Sequence, residues 1–174
     1  MREKSQNSKL KKAPSKGSLD AKTPKSYESL VKSDKASTTL ISGKLGKLKN
    51  LPFSVLKDDI LGTQYELSIA FVSSRTSKKL NREYRERDNP TNILSFPLDK
   101  NSGEIVLCLD VIKKEYRSWK KSLYEFTGFL VIHGMLHLKG MDHGSIMDKQ
   151  EQKFYAKYFH RDKPRIIDRS SSRR

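Results

Sequence analysis

Three histidines fall within eleven residues, His133-Gly-Met-Leu-His137-Leu-Lys-Gly140-Met-Asp-His143, in a chain that has four in all. On a helix, positions four apart stand one turn above each other, so His133 and His137 are expected on one face. Gly140 comes three residues after His137, where a helix can stop and the backbone can turn back through a left-handed conformation. That turn can bring His143 round to the side of the other two. The spacing therefore predicts a helix that ends near Gly140 beside a tight return. Three imidazoles converging with a fourth position free is the arrangement that holds catalytic zinc. An open site of that kind activates water or polarises a substrate oxygen.

The pattern H-x-x-x-H-x-x-G-x-x-H is the ligand skeleton of the metzincin peptidases with one change. Those enzymes carry Glu directly after the first His as the general base. Here that position is Gly134, so the metal ligands are present and the peptidase base is absent. Two plainer arrangements compete with an open metal site. One is three unrelated core histidines satisfied by hydrogen bonds. The other is a structural zinc, which usually wants four protein ligands, often Cys; Cys108 lies far off in the chain. Asp142, beside His143, suits either an imidazole-orienting role or a turn held by its own short side chain.

At 174 residues the chain is long enough for one domain with a real core. Its hydrophobic fraction of 34% is low for a wholly folded chain, which predicts that part of it is unfolded. A single Cys excludes an internal disulfide and fits a reducing compartment. No apolar run approaches the length that spans a bilayer, so no membrane association is expected. The first residues lack the apolar core of a secretory signal, and the Lys-rich, acid-containing N-terminal stretch reads as a tail rather than a transit peptide. The net charge of +16 is uneven. Residues 1–50 hold 13 Lys and Arg against 4 acids, residues 51–160 hold 17 against 14, and residues 161–174 hold 6 against 2. Cationic ends of this kind attract phosphate backbones without reading sequence, or simply keep a protein soluble.

Residues 1–44, rich in Lys, Ser, Thr and Pro, are expected to form a disordered basic tail. A folded domain over 45–162 and a basic C-terminal tail over 163–174 should follow. A short helix is predicted over Pro52 to Leu61, and a strand in the alternating segment from Leu67. Ser74 should open a helix through Arg85. Strands are predicted over Asn92 to Phe96, ended by Pro97, and over Glu104 to Asp110. Further helices are predicted over Val111 to Trp119, from Ser122 through the first two histidines, and from the Ser145–Asp148 segment to Phe159. The helix carrying His133 and His137 is apolar on most sides and should be the central one. The fold class is α+β: a small mixed sheet packed against helices, strands early and helices late.

Several segments together resemble the YbeY family of single-domain zinc-dependent endoribonucleases and ribosomal RNA maturation factors. They are Leu80-Asn-Arg-Glu-Tyr84-Arg85, Asp88-Asn-Pro90-Thr-Asn-Ile-Leu-Ser95-Phe-Pro97, Gly103-Glu-Ile105 and the histidine segment, covering about residues 50 to 160. The resemblance implies that His133, His137 and His143 bind one Zn2+ per chain and that Arg85 is the active-site arginine. It implies single-strand-specific cleavage in the cytoplasm, with ribosomal RNA and the small subunit as partners. Its work would be maturation of the small-subunit RNA 3′ end and ribosome quality control, with ribosomal or GTPase proteins as further partners. Met141 stands where the family often has Tyr, Asn92 where it commonly has Asp or Asn, and the segment from Gly144 to Asp148 is shorter than usual. The basic N-terminal tail is outside the family pattern.

The residue chemistry agrees with that implication. RNA cleavage passes through a pentacovalent phosphorane whose charge must be stabilised. A guanidinium such as Arg85 forms paired hydrogen bonds to phosphate oxygens and stays charged. At a helix C-terminus it is equally an ordinary solvated cation. Ser95 suits a buried strand position or a substrate hydrogen bond. Arg82, Arg87, Lys78 and Lys79 lie around Arg85 as an RNA groove or as plain surface charge. Two other functions stay open: a non-catalytic, zinc-stabilised ribosome assembly or RNA-binding factor, and a metalloprotease, against which Gly134 argues.

Overall fold

The computed structural model describes residues 39–42 and 46–159. The rest of the expected N-terminal tail, the expected domain end at 162 and the C-terminal tail lie outside the described residues. In chain order come β1 (Thr39–Ser42), a 3-10 turn at Gly46–Asn50, α1 (Phe53–Ile60), β2 (Glu66–Val72), α2 (Ser74–Arg85), β3 (Ile93–Pro97) and β4 (Ser102–Cys108). They are followed by α3 (Leu109–Glu115), which runs straight into a 3-10 turn at Tyr116–Trp119, then α4 (Leu123–Leu138) and α5 (Ser145–Phe159). The four strands form one mixed sheet in the order β1-β2-β4-β3. β1, β2 and β4 are parallel, and β3 runs antiparallel to β4.

β1 lies ahead of residue 45, where the folded part is expected to begin. Its four residues are too few to show an alternating pattern; pairing with β2, Ile41 opposite Ile69, places them in the sheet. Strands and helices also interleave more than expected. Parallel neighbours need a crossover, and α1 and α2 supply it between β1, β2 and β4. Only β3 and β4 join by a short loop. There the Asp99 carboxylate accepts from the Asn101 backbone N–H and the Ser102 hydroxyl, both at 2.7 Å. Pro97 closes β3 at the sheet edge, where a missing N–H is tolerated.

Side chains alternate across a strand, and the two faces of this sheet bury different partners. Leu67 and Ile69 of β2, Ile105 and Leu107 of β4, and Ile93 of β3 share one core with α1, α3, α4 and α5. Leu94 and Val106 turn to the other face and pack with Leu80 of α2, flanked by Val72, Tyr84 and Phe96. Ser95, two residues on from Ile93, belongs to the α4 face.

α4 is surrounded, as its all-round apolar sequence predicts. Phe126 to Leu136 are buried without a break. At its start the Ser122 hydroxyl accepts from the Glu125 N–H at 3.2 Å, and the Glu125 carboxylate accepts from the Ser122 N–H at 2.8 Å. This capping box satisfies two backbone donors that a helix start leaves open. On α5 the buried positions are Met147, Glu151, Phe154 and Tyr155, an i, i+4, i+7, i+8 stripe that lies on α4. The carboxylate in that apolar stripe has a specific partner.

Candidate metal centre

α4 places His133 and His137 one turn apart, with ring centroids 4.5 Å from each other. Its end is built by Gly140. The Gly140 N–H donates to the His137 carbonyl at 2.9 Å and the Met141 N–H to the Leu136 carbonyl at 3.0 Å. That pair of bonds is the Schellman pattern, and Gly140 takes the left-handed φ of +90° it requires. The chain then turns back, and the His143 ring arrives 5.2 Å from His133 and 4.6 Å from His137. One nitrogen from each ring lies within 4.8 Å of the other two.

Hydrogen bonds fix which nitrogens those are. The Met141 carbonyl, delivered by the Schellman turn, lies 2.9 Å from His137 Nδ1. A carbonyl can only accept, so Nδ1 carries the proton and Nε2 of the neutral ring is left with a lone pair. Glu151 Oε1 lies 2.6 Å from His133 Nδ1 in a buried contact, and a carboxylate there sets the same tautomer. The two Nε2 atoms face each other at 3.1 Å, lone pair to lone pair when both rings are neutral. Such a contact is repulsive unless a proton or cation sits between. On His137 a proton is opposed: burial pushes its imidazole down to about 4, helped by its neighbours His133 and His143. Burial, and after it His133, also lowers His143. Three imidazoles with one nitrogen each turned to a common point, two of them oriented through their far nitrogens, are a donor set that fits a divalent metal.

Access is graded. His133 is buried, His137 half-buried and His143 exposed, so the group opens to solvent on the His143 side. Arg85, the last residue of α2, stands on that approach, near enough to contribute to lowering both His137 and His143. It is half-buried, and burial, with Arg87 next, lowers its own pKa. Among the described residues no hydrogen bond or ion pair holds its guanidinium. The residue after it, Glu86, takes a left-handed φ of +56° to end α2 there.

The other charged residues expected around Arg85 are exposed. Lys78 and Arg82 turn to Asp88, at 3.0 and 3.8 Å. Ser95 is buried, with its hydroxyl against α4. Cys108 is buried 3.7 Å from the Ser74 hydroxyl and takes no part in the histidine group. Asp142 is exposed; the bonds that orient His133 and His137 come from Glu151 and the Met141 carbonyl. Glu151 escaped the sequence reading because it lies eighteen residues from its partner. The available signal was an acid on the apolar stripe of α5.

Gly134 has a packing reason. A Cβ there would stand 2.9 Å from Ile93 Cδ1 and from Ser95 Oγ, and 3.1 Å from Ile105 Cδ1. The direction in which residue 134 could carry a side chain points into the sheet, and β3 fills the space. A metzincin-type base has no room.

A family model described as Endoribonuclease YbeY matches residues 35–159. The Endoribonuclease YbeY of Colwellia psychrerythraea is 42% identical over 86 residues, 45% of this chain and 56% of that protein, so the match spans little more than half of that relative. The Endoribonuclease YbeY of Staphylococcus carnosus is 32% identical over 117 residues, 60% of this chain and 76% of that protein. Among solved structures, a Thermotoga maritima protein determined in solution superposes with a TM-score of 0.54 at 27% identity, covering 70% of this chain and 89% of that one.

Two outcomes are expected. If the group holds a divalent metal, replacing Glu151 with Ala leaves His133 free to rotate and weakens binding of the added metal about ten- to a hundredfold in a competition titration against a chelating dye. Glu151→Gln, which still offers an acceptor, retains most of the affinity. Gly134→Glu forces a charged side chain into the sheet and loses on the order of 3 kcal/mol or more in denaturant unfolding, with no digestion of casein. Wild-type stability in that variant would refute the packing account.

Proposed function

Because this chain belongs to the Endoribonuclease YbeY family, we propose that it is a metal-dependent endoribonuclease whose centre is the group His133, His137 and His143 with Arg85. The observation that carries the reading is the pair of Nε2 atoms held 3.1 Å apart beside a half-buried guanidinium that has no partner among the described residues. A zinc ion bound by the three imidazoles would supply Lewis acidity toward water and toward a phosphoryl oxygen.

The chain's own residues do the rest. Glu151 and the Met141 carbonyl keep His133 and His137 from turning away. Exposed His143 leaves the approach open to a polymer strand. Arg85 donates to two non-bridging oxygens of the scissile phosphate and counters the charge that grows in the phosphorane. Its partial burial strengthens that contact, because little water competes for the guanidinium. A metzincin-type amide cleavage would lack its base, since a side chain at position 134 would press on Ile93, Ser95 and Ile105.

The proposal extends, on family membership, to a single-stranded ribosomal RNA substrate. The small-subunit 3′ end and ribosome quality control are the processes, the cytoplasm the place, and ribosomal or GTPase proteins the partners. Among the described residues no helix is long and apolar enough to cross a membrane. The tails outside the described residues carry most of the net charge and would add affinity for RNA without choosing the cut.

Metal analysis of the purified protein is expected to give one zinc per chain, and a chelator to abolish cleavage of a single-stranded RNA oligomer. Cleavage that survives complete metal removal would overturn the reading. Arg85→Ala is expected to keep its metal and its fold while kcat falls about a hundred- to a thousandfold, as when one charge-stabilising donor is lost. A His137→Ala protein that unfolds outright would mark the metal as a structural staple instead.

A further inference from the structure

The folded domain's positive charge is not spread over its surface. Residues 51–160 carry 17 cations and 14 acids, a net +3. The nine residues Lys113-Lys-Glu-Tyr-Arg117-Ser-Trp-Lys120-Lys121 carry five cations and one acid, a net +4. The remainder of the domain is therefore net −1. The run spans the end of α3, the 3-10 turn after it and the start of the loop to α4; a second run of equal net charge, Arg75 to Arg87 with six cations and two acids, lies on α2 and just past its end.

The run is sorted by face. Ile112, Tyr116 and Trp119, spaced i, i+4, i+7, turn inward: Ile112 is fully buried, and Tyr116 and Trp119 pack on the core. Lys113, Arg117 and Lys120 have the same spacing one position on, and with Lys114 they are exposed. Glu115, the one acid, is turned aside and accepts from Asn92 Nδ2 at 2.7 Å. Lys121 covers the Tyr155 ring, its ammonium 4.0 Å from the centroid. Arg117 lies over the Tyr116 ring at 5.7 Å and donates to the Tyr116 hydroxyl at 3.2 Å, which holds its guanidinium in place. Among the described residues none of Lys113, Lys114, Arg117 and Lys120 is paired with a carboxylate.

A second observation is independent of charge. Lys120 has a left-handed φ of +52°, a position that favours glycine, and it is one of two non-glycine residues with positive φ among those described. The other, Glu86, adjoins Arg85. Lys120 ends the 3-10 turn in that conformation, and a glycine there would meet less backbone strain. The cations near Arg85 on α2 are partly neutralised by Asp88.

We propose that Lys113, Lys114, Arg117 and Lys120 form a second RNA contact, which grips the phosphate backbone away from the histidine group. The inference rests on the RNA-cleaving reading and adds to it where the strand is held. The stripe borders Ser122, the N-cap of α4, and His133 lies eleven residues along that helix, about 16 Å at 1.5 Å per residue. A short oligomer seated at the histidines does not reach the stripe, and a longer one does. Substrate length is therefore read by this surface, and bond cleavage by the other.

The test uses the full chain and fluorescent single-stranded oligoribonucleotides, one of a few nucleotides and one several times longer, across a salt series. Replacing all four cations with Ala is expected to weaken binding of the long RNA about tenfold or more. The slope of log affinity against log salt should become shallower by about 2 to 3 units, near 0.7 for each lost phosphate contact. Cleavage of the short RNA should be unchanged. Lys120→Gly should lose about one contact's worth of slope while its melting temperature stays level or rises, which separates a binding role from a folding one. If the wild type cuts RNA and the four-fold variant binds the long oligomer with the same affinity and slope, the stripe serves some other acidic partner. The inference then falls and the nuclease reading stands. If the wild type neither binds nor cuts either RNA, both fall together.

Discussion

Nδ1 of His133 meets the Glu151 carboxylate and Nδ1 of His137 meets the Met141 carbonyl, and with those two bonds made, each ring has only its far nitrogen left to offer. The acceptors come from different origins. The carbonyl is local, put in place by the turn that Gly140 permits. The carboxylate is distant, carried on α5 and buried between the helices. A buried carboxylate without a partner would be heavily penalised, so the α4–α5 interface and the orientation of His133 support each other. A loose version of this site would require loosening the core.

The same packing decides what chemistry is unavailable. α4 lies so close to β3 that residue 134 can be nothing larger than glycine without displacing Ile93, Ser95 or Ile105. A ligand spacing shared with a peptidase family is thus joined to a wall where the peptidase base would be. The open direction lies instead toward His143 and Arg85. That side suits an extended anionic polymer, because one half-buried guanidinium faces the approach and, among the described residues, no acid is bound to it.

Charge is deployed at three depths. Arg85 is half-buried beside the histidines, the α3 stripe is exposed at the other end of α4, and by sequence alone most of the excess lies in residues 1–50 and 161–174. Partly desolvated charge acts at short range with little screening, whereas exposed charge acts at longer range and fades with salt. In the proposed function, short-range contact with the reacting phosphate falls to Arg85, and retention of a long strand to the outer cations.

Much of this was legible in the chain itself because it is local. The H-x-x-x-H spacing, the glycine that ends the helix, the Ser122 cap, the period-two strands and the unbroken apolar run of α4 each depend on neighbours within a few residues. The sequence alone thus determined the helix, the turn and the three ligands that can meet, together with the family. Only the tertiary structure decided the position of β1, too short to carry a pattern and placed by pairing with β2. It also decided that α1 and α2 cross between parallel strands, that Glu151 contacts His133, that a side chain at residue 134 would press on β3, and that Arg85 is unpaired among the described residues. These are contacts between segments far apart in the chain. Their strength comes from burial and from geometry set by the whole core, and no local pattern encodes either one.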